Sequence, residues 1–439
     1  MADILTHNFK TTPFWWEAAP RGSVEPTPLP ASVDVLVVGS GYAGMHCALK
    51  TARAGRSTLV LDAYEPGFGA STRNMGHIGR YLHYPFTKLE AKFGHEKALA
   101  MWTEAGGAHA AFLAMLETEQ MEVGQRFNGR FTGACSPGHY EGLATEYGEI
   151  RKIAPEIEFW MCPKEDIHKE VESDYWHGAL IVEGNGMLHP GLYHQATLKR
   201  VQNAGVQVVG HAPVTAIVPE SGGFTITTRH YAVRARDVVI CTNGYTRETG
   251  YSPWVRRRIV PVPAHVIATE PMDVETMKTI KPMLRTMRDS KSNVFSDRPS
   301  PDDTVLIFSA RTGHQDGDQR ITAKRLHDLV STVYPRLKDT RISHCWTGMM
   351  GFPFDKLPHM GKTRDGVHFA TGFAGGGVVL ATHFGKTIAD GVLAGRPPET
   401  AFWDLGFPTW PFYSGDPWFL PAIVAWIDFK DRFAAGKPY

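Results

Sequence analysis

The chain has 439 residues, 43% hydrophobic and 11% aromatic, enough to bury a large core and to form about two or three domains. Lys and Arg number 46 against 45 Asp and Glu, a formal charge of +1, and no block of like charge forms a phosphate-neutralising stripe, which excludes nucleic acid as the main partner. No apolar run reaches the roughly 18 residues of a membrane span, and the start MADILTHNFK lacks a secretory leader pattern, so a cytoplasmic protein is expected. Cys47, Cys135, Cys162, Cys241 and Cys345 are scattered and lack C-x-x-C spacing, so they read as buried thiols without a disulfide framework, and no metal site is expected.

Residues 1–30 pass from polar to aromatic (PFWWEAAP) to proline-rich (PTPLP) and read as an extended arm, anchored to the body by Trp15 and Trp16. The segment DVLVVGSGYAGMHCALKTARAGRSTLVLDA predicts a strand at 35–38, a helix carrying Ala48, Leu49 and Ala52, and a second strand at 58–61, a right-handed crossover unit. Between strand and helix, Gly39, Gly41 and Gly44 fit G-x-G-x-x-G. Gly39 permits the tight turn, Gly41 the approach of backbone amides to a pyrophosphate, and Gly44 close helix packing. The helix N-terminus, at Tyr42 and Ala43, adds partial positive charge. The second strand ends at Asp62 and Ala63, about 20 residues after Gly41, where an acid holds ribose hydroxyls. Together these features point to a dinucleotide.

A nicotinamide enzyme would continue with regular strand and helix units. Here GFGASTRNMGHIGR, Gly67 to Arg80, follows at once, too polar for a core strand and too glycine-rich for a helix interior. Helices are predicted at about 95–119 and 190–204, and short strands near 206–209, 214–218, 224–228 and 237–241. PVPAHVIATEP and DTVLIFSAR read as longer strands of another sheet, ITAKRLHDLVSTVYPRL as a helix, and GVHFATGFAGGGVVLATHFGKTIADGVLAG as strand, glycine turn and helix. Nucleotide-binding features at both ends of the chain, with a mixed-sheet region between, predict a discontinuous nucleotide domain.

The loop FGAS-x-RN-x-G, at Phe68, Gly69, Ala70, Ser71, Arg73, Asn74 and Gly76, resembles that of the D-amino-acid-oxidase-like flavoprotein superfamily, in its γ-glutamylputrescine oxidoreductase and sarcosine oxidase-like branch. GMLHPGLY, APVTAI, VVICTNGYT, IVPVPAHVIATEP, WTGMMGFPFDKLPHMG and the tail PFYSGDPWFLP extend the likeness over about residues 12–435. The resemblance implies an α/β protein: a discontinuous Rossmann-like FAD-binding domain at 31–100, 183–255 and 341–395, and a mixed-sheet α+β substrate domain at 101–182 and 256–340. An arm at 1–30 and a C-terminal tail at 396–439 packed on the body complete it.

Residue by residue, it implies adenosine on Asp62, Ala63 and the backbone of Val214, and pyrophosphate at Gly39 to Gly44. Gly69, Ala70 and Ser71 would approach the pyrophosphate and ribityl chain, and Arg73 and Asn74 the flavin ring, with Met75 and Gly76 also counted among the cofactor-binding residues. Thr242, Asn243 and Gly244 supply a further turn. Gly372, Phe373, Gly375, Gly376, Gly377 and Val378 would face the flavin N1 and O2 edge with amides and a helix dipole. His77 lies where relatives can link FAD covalently, although its register follows the noncovalent RN-x-G pattern.

The activity implied is oxidation of the C–N bond of a secondary amine or N-substituted amino acid, polyamine derivatives included, by hydride transfer to flavin N5, giving an imine that hydrolyses. Trp346, which this reading also places against FAD, and Phe352 form an apolar wall, while His265 and Arg311 are candidates for binding a carboxylate. The electron acceptor is O2 or a quinone, and DTVLIFSAR lacks the Lys that sarcosine oxidases use with oxygen. The alternatives are a D-amino acid or proline-type dehydrogenase passing electrons to a quinone and, in another class, a non-catalytic flavin-binding partner protein. The C-terminal LPAIVAWIDFKDRF reads as a helix packed on the body in preference to a membrane-surface contact. Oligomeric state stays open.

Overall fold

The computed structural model of the chain describes residues 4–21, 28–248, 251–311, 317–403 and 405–435. The arm contributes β1 (Leu5–Lys10) and the short helix α1 (Trp15–Ala18), which buries Trp15 completely. The crossover unit follows as β2 (Ser32–Val38), α2 (Tyr42–Arg53) and β3 (Thr58–Leu61). Parallel pairing from Val35 opposite Thr58 to Val38 opposite Leu61 buries β3 on both faces, the reason for its unbroken apolar run. The glycine-rich loop ends in β4 (His77–Ile78). Then come α3 (Phe86–Phe93), α4 (His95–Thr118), β5 (Arg130–Gly133), α5 (Pro137–Ile153), β6 (Phe159–Pro163), β7 (Gly178–Val182), β8 (Gly186–Met187), α6 (Pro190–Asn203) and β9 (Gln207–Val209). The antiparallel run β10 (Val214–Glu220), β11 (Gly223–Thr228) and β12 (Ala232–Ile240) leads to α7 (Pro253–Arg256), β13 (Ile259–Thr269), α8 (Val274–Ile280), β14 (Thr286–Asp289), β15 (Ser296–Pro299) and β16 (Leu306–Ala310). The chain closes with α9 (Gln319–Val333), β17 (Ile342–Pro353), β18 (His359–Lys362), β19 (His368–Thr371), α10 (Gly377–Ala394) and α11 (Leu420–Ala435).

Two sheets organise these elements. In the eight-stranded sheet, β12, β2, β3 and β9 are parallel, β19 joins the end of β12 in parallel, and the β10–β11 hairpin extends from the start of β12. Strands from 32–61 and from 368–371 therefore share one sheet, as a discontinuous nucleotide unit requires. One face packs under α2, α4, α6 and α10 through Val35, Val37, Val60, Met45, Leu188 and Ile388. The other packs Leu36, Val38, Leu59 and Leu61 against Ile226 and Val238.

The nine-stranded sheet runs β1-β17-β13-β16-β15-β14-β5-β7-β6. Pro261 and Pro263 are tolerated in β13 because β16 pairs only with 265–268, leaving the proline stretch one open edge. Two segments sit differently from the sequence reading. Residues 342–353, assigned there to the nucleotide unit, form β17 beside β13, because an eleven-residue antiparallel ladder binds them to this sheet. Helix α4, assigned to the substrate unit from residue 101 on, packs Met101 and Ala105 together with Ala98 into the cluster holding α2 and α10. All five cysteines are buried and unpaired. Among the described residues no helix is long and apolar enough to cross a membrane.

Candidate active site

A cavity of about 930 Å³ lies between the two sheets. At one end, the α2 N-terminus and its glycine turn form the wall. Gly39 has φ +102°, and a Cβ there would press on the Cys241 carbonyl at 3.0 Å. Gly41, Tyr42 and Ala43 line the cavity, and the Tyr42 amide donates to Ser71 Oγ at 3.0 Å, tying the motif to the loop. Gly44 lies outside the lining: a Cβ there would collide with the Gly39 carbonyl, so its part is the packing of helix on turn. The Asp62 carboxylate accepts from the Ser40 amide (2.7 Å), the Ser40 hydroxyl (2.6 Å) and the Tyr64 amide (3.0 Å), which hold it at the cavity edge beside Ala63 and Val214.

The loop itself is rigidly braced. Gly69, Ala70, Ser71, Arg73, Asn74, Met75, Gly76 and His77 all line the cavity. Arg73, however, donates to the Phe68 carbonyl (2.7 Å) and the Thr347 carbonyl (3.0 Å), and its guanidinium stacks on Trp16. Asn74 donates to the Ala70 and Ser71 carbonyls and accepts from the Gly76 amide at 2.7 Å. These side chains shape the loop; what faces the cavity is mainly the loop they hold. Trp15 and Trp16 anchor it from behind through the Asn74 carbonyl and the Thr72 hydroxyl, each at 2.9 Å. His77 pairs with Met187 across β4 and β8, and its Nε2 is buried without a hydrogen-bond partner.

The C-terminal half supplies a second helix N-terminus. Thr242, Asn243, Phe373, Gly375, Gly376, Gly377 and Val378 line the cavity, so α10 begins against it. Asn243 Oδ1 accepts from the Gly372 amide at 2.9 Å and sets that turn. Gly372 and Gly244 are not in the lining: a Cβ on Gly372 would strike Pro353, and one on Gly244 the Met349 carbonyl, so both act through close packing.

Beyond the loop, one face of the nine-stranded sheet floors a chamber. Arg130 stands opposite Thr286, Arg288 opposite Ser296, Ser296 opposite Ser309, and Ser309 opposite Val266, so these side chains share a face. Val260, Val262 and Ala264 of β13 and Gly348, Met350 and Phe352 of β17 continue it. Phe352 meets His83 edge to face at 5.9 Å, and Arg311 lines the same chamber with its guanidinium 5.8 Å from the Phe352 ring.

Two expected substrate residues are not in the chamber. His265 is one residue out of phase with Ala264 and Val266, so it leaves the opposite face, where its Nδ1 lies 2.8 Å from the Thr347 hydroxyl beneath α9. Trp346 has the right face but is fully buried under Trp15 and the loop, its indole donating to the Arg73 carbonyl at 2.9 Å. It supports the loop and does not reach the cavity.

Several lining residues escaped the sequence reading: Tyr81, His83, Lys88, Arg130, Arg288 and Lys356. Their one legible signal is a charge within a strand of otherwise core-forming residues, as in RFTG and TMRD. Leu420, Val424 and Ile427 of α11 also line the chamber. Burial, reinforced by nearby cations, pushes His77 and His83 down to about 3, so both imidazoles are neutral at physiological pH.

Two helix N-termini around a glycine turn, a carboxylate ending the next parallel strand and a mixed-sheet chamber define a dinucleotide-dependent oxidoreductase. Residues 34–391 match the family DAO, FAD dependent oxidoreductase, and the chain belongs to that family; its cofactor is FAD. It is 26% identical to the probable oxidoreductase OrdL of Haemophilus influenzae, over 86% of each chain. To the gamma-glutamylputrescine oxidoreductase of Escherichia coli it is 25% identical, over 91% of this chain and 93% of that protein. The crystal structure of glycine oxidase from Geobacillus kaustophilus shares the fold, with a TM-score of 0.68 at 19% identity, covering 87% of this chain and 99% of that one.

Proposed function

We propose that the chain oxidises the C–N bond of a secondary amine or N-substituted amino acid to an imine, which hydrolyses in water. FAD, when bound, supplies the hydride acceptor. Its adenosine would lie at Asp62, Ala63 and Val214, and its pyrophosphate against the amides of Gly41 to Ala43 at the α2 N-terminus. The flavin would be held by the loop from Gly69 to His77 and by Gly375 to Val378, where the α10 N-terminus places partial positive charge.

One observation carries the reading. The cavity is continuous from this glycine-built cradle to a chamber whose lining, among the described residues, includes Arg288, Arg311, Lys88 and Lys356 and no carboxylate besides Asp62. Such a chamber has no carboxylate base to take a proton, and hydride transfer from an amine needs none. Its cations disfavour an ammonium ion, so a bound amine is favoured in the neutral form that can release hydride. Val262, Ala264, Met350 and Phe352 supply apolar surface that excludes water and positions the reacting carbon.

The test is anaerobic addition of N-methyl amino acids, γ-glutamyl polyamines, D-amino acids and opines to the yellow protein. Bleaching by a secondary amine is the expected result. A protein that cannot be loaded with FAD, or one that no amine bleaches, overturns the reading. Reoxidation by dissolved oxygen or by a soluble quinone assigns the acceptor.

A further inference from the structure

Arg130 and Arg288 bring two positive charges to one place in the chamber. They stand on the neighbouring parallel strands β5 and β14, two residues apart in register, and both side chains leave the face that lines the cavity. The Nε of each is buried without a hydrogen-bond partner. Arg130 otherwise reaches the Tyr147 hydroxyl at 3.5 Å, and Arg288 lies 5.9 Å from the Tyr81 ring. Among the described residues no carboxylate stands within ion-pair distance of either. Glu146 on α5 feels both charges, but burial raises its own pKa and weakens it as a counter-ion. Burial and the neighbouring Arg288 both lower the Arg130 pKa, so the pair is electrostatically costly as it stands. Two adjacent, partly desolvated guanidiniums form a fork that a carboxylate satisfies. The FAD pyrophosphate is not the natural occupant, since its cradle belongs to the other sheet.

We propose that Arg130 and Arg288 form a subsite for a second carboxylate of the substrate, so that the preferred amine is an N-substituted amino acid carrying a further acid group. This inference rests on the amine-oxidoreductase reading and narrows it. Free polyamines, with several positive charges, are the wrong partners for this chamber.

N-methylaspartate, N-methylglutamate and N-methyl-2-aminoadipate, each compared with its side-chain amide, test the subsite at three reaches. The readout is the concentration giving half-maximal rate of anaerobic flavin reduction. For at least one pair the acid is expected to half-saturate about tenfold lower than the amide, the worth of one charge-assisted hydrogen bond. Arg288→Met and Arg130→Met are expected to bring the acid to the amide's value, and Arg288→Lys to keep part of the preference. Three pairs that behave alike in the wild type overturn the subsite, as do Met variants that weaken acid and amide by the same factor. The wild-type comparison decides the matter should a variant fail to fold. A wild-type protein that no amine reduces instead overturns the amine reading, and calorimetric binding of glutarate against its monoamide to the FAD-bound protein then still decides the subsite.

Discussion

Gly76 has φ +67°, and a Cβ there would collide with the Leu188 carbonyl while crowding Arg298 Nη1 at 2.9 Å. Arg298 is itself fixed, donating to the Met75 carbonyl at 3.1 Å and the Leu188 carbonyl at 2.6 Å, so the neighbourhood has no slack. Gly76→Ala is therefore expected to cost about 3 kcal/mol, from left-handed backbone strain plus overpacking, and to lower flavin retention on gel filtration. Gly142, exposed in α5 with nothing near its Cβ position, is the opposite case. Gly142→Ala should stabilise by about 0.5–1 kcal/mol in denaturant titration. In the sequence the RN-x-G spacing marks Gly76, and nothing local marks Gly142. Trp346→Phe removes one indole donor beneath the loop. It should weaken flavin retention by about 1 kcal/mol while leaving the half-saturating amine concentration in place, the opposite of a substrate-contacting residue.

At the scale of elements, α11 covers the chamber. Leu420, Val424 and Ile427 turn toward the cavity, whereas Trp426 and Phe429, 65% and 52% exposed, face away. The helix is held to the 290–294 turn by Asp431, which is buried and accepts from the Asn293 amide at 2.9 Å and the Ser292 amide at 3.3 Å. Asp428 accepts from Asn293 Nδ2 at 2.8 Å. Asp431→Ala should remove about 1.5–3 kcal/mol of local closing free energy, read as roughly 10- to 100-fold faster limited proteolysis within 420–435 at little change in Tm. An unchanged cleavage rate would show that apolar packing alone holds the helix. That this segment is helical was legible from its apolar spacing. That it roofs the chamber was not, because the contact joins residues far apart in the chain.

At the scale of the whole molecule, burial of histidines sets the response to acid. Burial pushes His46, His77 and His83 down to about 3, and His109, His189 and His368 down to about 4. In the unfolded chain these groups take up protons near pH 6.5, which the folded protein refuses. Stability is therefore lost as pH falls from about 6.5 toward 4. Asp289 acts with opposite sign: burial raises it to about 8, so its contribution falls as pH rises from about 4 to 8. Tm is expected to peak near neutrality, to fall steeply between pH 6.5 and 5, and to decline gently toward pH 8, with Asp289→Asn flattening the alkaline limb and steepening the acid one. Calorimetry across that range checks it; a Tm flat from pH 7 to 5 refutes the histidine account.

The sequence by itself determined the strand, glycine turn, helix, strand and acid from Asp34 to Asp62, the braced loop after it, and the second glycine turn before α10. Each is a local pattern: apolar periodicity, positive φ and helix N-termini are written in adjacent residues. Only the tertiary structure decided that β17 belongs with β13, that His265 faces α9 while Arg311 faces the chamber, and that Arg130 meets Arg288. These depend on strand register between segments more than a hundred residues apart in several cases, where a shift of one residue turns every side chain to the other face. Local sequence carries the period of a strand, and pairing alone assigns its two faces.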